Sequence, residues 1–431
     1  MGIKNIVSSY KENKLLKQGI TFTLFATINN GLNFLLIFIL SIYLTKQEFG
    51  VLNLFNIVIL VFSVLISLGT QSYFSVVFFK KTKNYVRKIL NAILIVSGIT
   101  FVFFGVLILF ESQSFADFIG FSKLYQFYAL VICFVQLFYT INLEVYRLEE
   151  ASIKYGLMTL LWAFLNFSIT IYFCVSLKYG WTGRVDAQIL ASLILFFGNL
   201  IILIKKDYIK LELPRRSHFV KVLKFGLPLI PHNSTVWIRQ GFDRFLINYF
   251  LGAITVGVFS FAYTFSGIIM MIGTAFNSTN SVYIFKTLQK NDIENGRKVL
   301  SKQIYLMTII FLLITVIGLI TGVLLIKFAI PKYVDAIPYM LPLSLAAFFQ
   351  CVYYLFVNYL FFFNKTKRLM YITFSVSVFH FMISVLLTRY SALYTSYLSL
   401  LSNMIITILV IVYSNKIYPL FNLNKTQKIS R

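Results

Sequence analysis

Apolar runs of about twenty residues recur along nearly the whole chain, each close to the length an α-helix needs to cross the hydrocarbon core of a bilayer. That repetition leaves little freedom. In lipid every backbone N–H and C=O has to be satisfied within the protein, so such a chain folds as a bundle of helices. Composition agrees: 59% of the 431 residues are hydrophobic and 12% are charged, against roughly 25% charged in soluble domains. The 47 phenylalanines and 27 tyrosines suit lipid-facing and interfacial helix surfaces. The expected fold class is an all-α polytopic membrane protein.

About twelve transmembrane helices are expected, at 19–44, 51–79, 86–110, 124–146, 153–177, 184–204, 219–250, 254–285, 300–327, 335–363, 369–388 and 392–415. Assigning the connecting loops to alternate sides places 30 of the 39 basic residues on one side and seven on the other, with Arg239 and Arg244 left inside a span. Under the positive-inside rule the rich side is cytoplasmic, so both termini are expected there. The N-terminal stretch is polar and basic without a short apolar core and cleavage site, so the first span is expected to be the insertion signal. Topogenic loops in contact with anionic membrane lipids account for the net charge of +25, with no need for nucleic acid. Cys133, Cys174 and Cys351 lie far apart in apolar segments and read as small buried hydrophobes.

Displacing the chain against itself by 207 residues aligns the start of span one with that of span seven. LKQG (16–19) meets LKFG (223–226), and EFGV (48–51) meets TVGV (255–258). The implied organisation is an N-terminal six-helix lobe, 1–204, a basic cytoplasmic linker, 205–218, and a C-terminal six-helix lobe with its tail, 219–431. An even number of spans separates the matched segments, so the lobes are expected to be related by a pseudo-two-fold axis along the membrane normal. Parallel-repeat carriers of this kind hold substrate between lobes and open to each side in turn.

The most informative span is the seventh, FGLPLIPHNSTVWIRQGFDRFLINYFL (225–251), which carries Arg239, Asp243 and Arg244. An arginine near a bilayer centre costs about 2.5–3.5 kcal/mol even on insertion scales, so it marks a cavity or a charged ligand. Pro228 and Pro231 each lack an N–H and are expected to kink the helix, freeing carbonyls for a cavity. Beyond the kink His232, Arg239 and Asp243 fall at i, i+7 and i+11, about one helical stripe. Two readings fit: Arg239 and Arg244 bind phosphate oxygens of an anionic cargo, or Arg239 and Asp243 form a structural pair while Arg244 snorkels outward. His232 fits either helix packing or substrate contact.

Asn29, Asn30 and Asn33 in span one and Gln71 in span two suit sugar hydroxyls or hydrogen bonds between helices equally well. Glu144 suits a coupling cation or a pair with Arg147, and His380 stands isolated in span eleven as an expected structural residue. GLITG (318–322) has the spacing of a small-residue packing motif. The chain has no P-loop, and its histidines at 218, 232 and 380 are too scattered for a metal site. No enzymatic activity and no cofactor are expected.

With these residues in view, the chain resembles polysaccharide-repeat flippases of the Wzx type, in the multidrug/oligosaccharidyl-lipid/polysaccharide exporter (MOP) superfamily. The likeness runs over nearly the full length. It is sharpest in residues 225–263 and in EFGVLNLF (48–55). Gly226, Pro228, Pro231, His232, Asp243, Arg244 and Gly257 match the family pattern, whereas Arg239 lies outside it. The resemblance implies a cationic central cavity and transfer of undecaprenyl-diphosphate-linked oligosaccharide across the bacterial cytoplasmic membrane, for O-antigen, capsule or exopolysaccharide. It also implies a polysaccharide polymerase and a chain-length regulator as partners. The coupling ion, proton, sodium or none, is left open. A multidrug/cation antiporter of the superfamily would want net acidic cavity residues, and a lipid II-type flippase usually has fourteen spans. A polymerase or O-acyltransferase would need a large external loop or a membrane histidine with acidic partners, and neither is visible in the sequence.

Overall fold

The computed structural model describes residues 21–420, apart from 22, 23, 26, 211 and 290–292. Among the described residues the protein is helical and contains no strand. Ten helices are long and apolar enough to cross a membrane, and the shorter apolar helix α1, Thr27–Tyr43, precedes them. Contacts divide the chain into two compact units, Met1–Ser234 and Thr235–Arg431.

In the first unit, α1 is followed by α2 (Lys46–Ser67), α3 (Gln71–Phe78), α4 (Lys83–Phe110), the short α5 (Gln113–Ile119) and α6 (Lys123–Leu148). Then come α7 (Ser152–Ile171), extended by a π turn over Tyr172–Ser176, and α8 (Gly180–Lys205). α6 packs on α2, α4 and α8. Amides tie its buried face, Asn142 donating to Asn199 at 2.6 Å and Gln136 to Ser192 at 3.2 Å, the usual use of such groups between helices in lipid. α2 starts at Lys46, five residues before the expected boundary, because Thr45 and Glu48 close a reciprocal capping box.

Span two, expected as one helix over 51–79, is broken. Leu68 and Gly69 both take positive φ, 47° and 67°. The break exists to let another backbone in: a Cβ on Gly69 would stand 3.0 Å from the carbonyl oxygen of Gly226, and one on Gly226 would stand 2.5 Å from that of Leu68. Gly226 ends α9 (Arg216–Gly226), so two interrupted helices meet at their interruptions.

Span seven continues as α10 (Leu229–Gln240) and α11 (Phe242–Leu251). Pro228 sits in the α9–α10 turn, and Pro231 lies in the first turn of α10, where a missing N–H costs no intrahelical bond. A second interruption, at Gly241, was not expected. It separates Arg239 from Asp243, so His232, Arg239 and Asp243 do not share one unbroken stripe.

The second unit contains α12 (Ala253–Gln289), α13 (Ile293–Phe328), a 3₁₀ turn over Pro331–Ala336, α14 (Ile337–Phe362), α15 (Thr366–Leu387) and α16 (Ala392–Ile417). α14 is its centre, packed on α12, α13 and α16, with Leu355, Tyr359 and Leu360 at or below 1% exposure. The GLITG motif works as a packing surface: Met340 and Phe265 fill the space where Gly322 would carry a Cβ. Cys133, Cys174 and Cys351 are free and buried.

Candidate functional site

The charged residues of span seven lie together in the second unit, on α10 and α11. Asp243 is in the first turn of α11, near a helix N-terminus that favours negative charge. Its carboxylate is 2% exposed and engaged by α15 and α16. His380 Nε2 lies 3.0 Å from Oδ2 and 3.1 Å from Oδ1, Ser384 donates to Oδ1 at 2.6 Å, and Ser399 donates to Oδ2 at 3.5 Å. The second ring nitrogen of His380, Nδ1, meets Ser402 at 2.9 Å, and Ser384 leads through Thr388 to Thr395 at 3.2 and 2.9 Å. The result is a sealed polar seam between three helices. His380 is therefore not isolated. Its acidic partner makes it a membrane histidine of the kind the sequence did not reveal, but with both ring nitrogens occupied and no exposure it offers no surface to a substrate.

No ion pair joins Arg239 to Asp243 among the described residues, because the carboxylate turns to His380 instead. The two arginines are held differently. Arg244 is 5% exposed; its Nε donates to Ser260 at 3.0 Å and its guanidinium stacks 4.6 Å from the Tyr263 ring centroid. It does not snorkel outward. Cation–π contact of this kind stabilises a desolvated guanidinium. Arg239 is partly buried and donates from Nη1 to Asn403 at 3.2 Å, while its Nε is buried without a partner among the described residues. A cavity of about 20 Å³ lies against it, lined among others by Tyr263, Ser266, Gln350, Ser399 and Asn403. That volume holds about one water or one ligand oxygen.

Other candidates fall elsewhere. Asn29, Asn30 and Asn33 are on α1 in the first unit, partly buried, and Asn29 Oδ1 is buried without a partner among the described residues. Gln71 opens α3 just after the break and lines a cavity of about 250 Å³ with Ser72, Ser75, Thr140, Glu144 and Arg147. There Glu144 accepts from Ser75 and pairs with Arg147, so the interfacial pair is present. The side chain of His232 lies outside the described residues. Arg184, counted from sequence among the sparse loop cations, lies inside α8 and donates to Asn166 and Thr170 of α7 at 2.6 and 2.9 Å.

Two further signals were present in the sequence. Ser377, His380 and Ser384, with the C-cap residue Thr388, recur every three or four residues and form one buried polar face along α15. Thr395, Ser399 and Ser402 do the same on α16. Such stripes on apolar helices mark the faces that meet.

Comparison with known proteins follows the same lines. The family described as polysaccharide biosynthesis protein matches residues 15–283, and the MatE family matches residues 228–386. A protein of the Lsg locus of Haemophilus influenzae is 23% identical over 370 residues, 82% of this chain and 86% of its own. An uncharacterized membrane protein of the same organism is 25% identical over 251 residues, and the match spans 57% of this chain and 61% of that protein. Among solved structures, a multidrug resistance MATE family transporter of the MOP superfamily, in its inward-facing conformation, superposes with a TM-score of 0.66 at 15% identity, covering 93% of this chain and 96% of that one. The chain belongs to the polysaccharide biosynthesis protein family and shares its fold with transporters of the MOP superfamily.

Proposed function

We propose that the protein is a flippase that moves undecaprenyl-diphosphate-linked oligosaccharide repeat units from the inner to the outer leaflet of the bacterial cytoplasmic membrane by alternating access, for O-antigen, capsule or exopolysaccharide. The observation that carries this reading is Arg239, a guanidinium in a membrane segment with a buried Nε donor left over and a small polar cavity against it. A spare guanidinium donor in a desolvated place suits a phosphate oxygen, which accepts such bonds in the guanidinium plane. The hydroxyl, amide and phenol groups around it suit sugar hydroxyls. Arg244, clamped by Ser260 and Tyr263, adds positive potential rather than a free donor set.

A multidrug/cation antiporter needs an acid presented to its cargo. Asp243 is the acid of this region, and His380, Ser384 and Ser399 already occupy it. Lipid II-type transport differs in cargo and shares the diphosphate, so the arginine argument serves it equally; the family description favours polysaccharide units. A polymerase and a chain-length regulator are the expected partners, with both termini in the cytoplasm. Export in a strain lacking the gene tests the reading. Arg239→Ala and Arg244→Ala should lose surface polysaccharide at unchanged protein level, and normal export from both variants rules out the cavity assignment.

A further inference from the structure

The corner of the first unit where the α3–α4 turn meets the start of α9 gathers, among the described residues, five cations and no carboxylate. Lys80, Lys81 and Lys221 line a recess of about 530 Å³ with Phe79 and Tyr85. Lys88, Arg215 and Lys221 line an adjoining recess of about 400 Å³ with Tyr85 and His218. Other basic residues of this unit are neutralised: Arg87 by Asp207 and Glu212, Lys206 by Glu149, Arg147 by Glu144. None of the five has an acidic partner within 4.0 Å among the described residues.

Two helix N-termini strengthen the positive potential. Thr82 caps α4 without a side-chain hydrogen bond, so the first N–H groups of α4 are not satisfied by their cap. α9 begins at Arg216 and packs against α4. Residues of both first turns, Asn84 and Tyr85 on one side, Ser217 and His218 on the other, line the second recess. Helix N-termini flanked by cations are ready anion sites.

Tyr85 organises the corner. Lys221 donates to its hydroxyl at 3.2 Å, Lys81 and Lys221 lie 5.9 and 5.5 Å from its ring centroid, and His218 meets the ring edge-on at 5.3 Å. Burial, then the nearby Lys221, hold the His218 imidazole below its ordinary value, with Lys88 and Arg215 adding to the effect. Burial and these same cations both disfavour the charged imidazole. Phe79, 74% exposed beside Lys80, supplies an apolar border of the kind found at the lipid interface.

We infer that this corner is a binding site for the diphosphate headgroup of a membrane lipid. A phosphodiester headgroup, with one negative charge, leaves most of the five cations uncompensated, whereas a diphosphate with two or three matches them better. The choice of a lipid-borne diphosphate rests on the proposed transport function. The site lies on the face that the charge asymmetry assigns to the cytoplasm, where such a lipid would be collected before it crosses.

The test is equilibrium binding to the full chain in phosphatidylcholine nanodiscs, with the Arg239→Ala background included so that the second unit's cavity does not contribute. Farnesyl diphosphate should bind in both backgrounds and weaken as salt is added. Lys81→Ala, Arg215→Ala and Lys221→Ala should each lose about tenfold in affinity, and Lys221→Arg should restore it, with thermal unfolding unchanged. Unaltered affinity in all three alanine variants overturns the site. Inorganic pyrophosphate competing as well as farnesyl diphosphate would make it a free-anion site, and phosphatidylglycerol competing equally would make it a general acidic-lipid site; either result overturns the inference. Retained binding in Arg239→Ala, alongside lost export, separates failure here from failure of the transport reading.

Discussion

Asp243 and His380, 137 positions apart in sequence, meet at 3.0 Å inside the second unit, and neither reaches solvent. The carboxylate also holds Ser384 and Ser399, and the imidazole holds Ser402. A seam of this kind fixes α11 against α15 and α16, the helix that follows Arg239 by only a turn. The position of the candidate binding arginine therefore depends on the seam.

Removing one partner of a buried hydrogen-bonded pair leaves the other unsatisfied, which costs about 1–3 kcal/mol. His380→Ala and Asp243→Ala should each lower the unfolding temperature in detergent and reduce membrane yield. The double variant should lose less than the sum of the two, because the pair is counted once. Additive losses would show that the two side chains do not act together.

The meeting of the two interrupted helices makes a second prediction. At Gly226 a Cβ would stand 2.5 Å from a backbone oxygen, which cannot move aside as a side chain can. Gly226→Ala should destabilise by about 1–3 kcal/mol, the usual range for overpacking. At Gly98 nothing lies within 4 Å, so Gly98→Ala is the matched control and should fold as well as the parent. Equal unfolding temperatures for all three proteins would remove the close approach from the account.

How much of this was legible beforehand follows from where each feature's cause lies. Spans are written locally, in runs of apolar residues, and ten of the helices fall where those runs are. The capping box at Thr45 and Glu48 was also local and would have corrected the start of α2. The break at Leu68–Gly69 was not, since its reason is the backbone of Gly226 arriving from 157 positions away. Asp243 and Arg244 were visible as anomalies, but their partners, His380 and Ser260, needed the packing of α11 on α15 and α12. Arg239 was legible as a charge out of place; its spare donor was not.

Arg87 is the clamp on the segment after α8. Its guanidinium donates to Asp207 at 2.7 and 2.8 Å and to Glu212 at 3.1 Å, while Asn91 donates to the Lys210 carbonyl at 2.6 Å. Arg87→Ala should leave the fold intact and speed tryptic cleavage within 205–216, which is rich in lysine and arginine. Cleavage at the parental rate would mean the ion pairs do not restrain the segment.

His218 supplies a pH prediction. Burial, then Lys221, hold its folded-state value below the ordinary 6.5. The unfolded chain then takes up a proton first as pH falls, so this contribution to stability is full above about pH 6.5 and is lost below it. His218→Asn should flatten the unfolding temperature between neutral and mildly acidic pH. An unchanged slope would assign the acid sensitivity to other groups.

The central claim is movement of a diphosphate-linked glycan across a bilayer, and the direct measurement is leaflet accessibility in proteoliposomes. Fluorescent polyprenyl-diphosphate oligosaccharide is reconstituted with purified protein, and the fraction exposed to an impermeant quencher or glycosidase is followed in time. The account predicts rapid exchange with the parent protein, slow exchange with Arg239→Ala, and parental rates with Gly98→Ala. A parent protein that leaves the glycan in its starting leaflet, or an Arg239→Ala protein that exchanges it at the parental rate, would contradict the account.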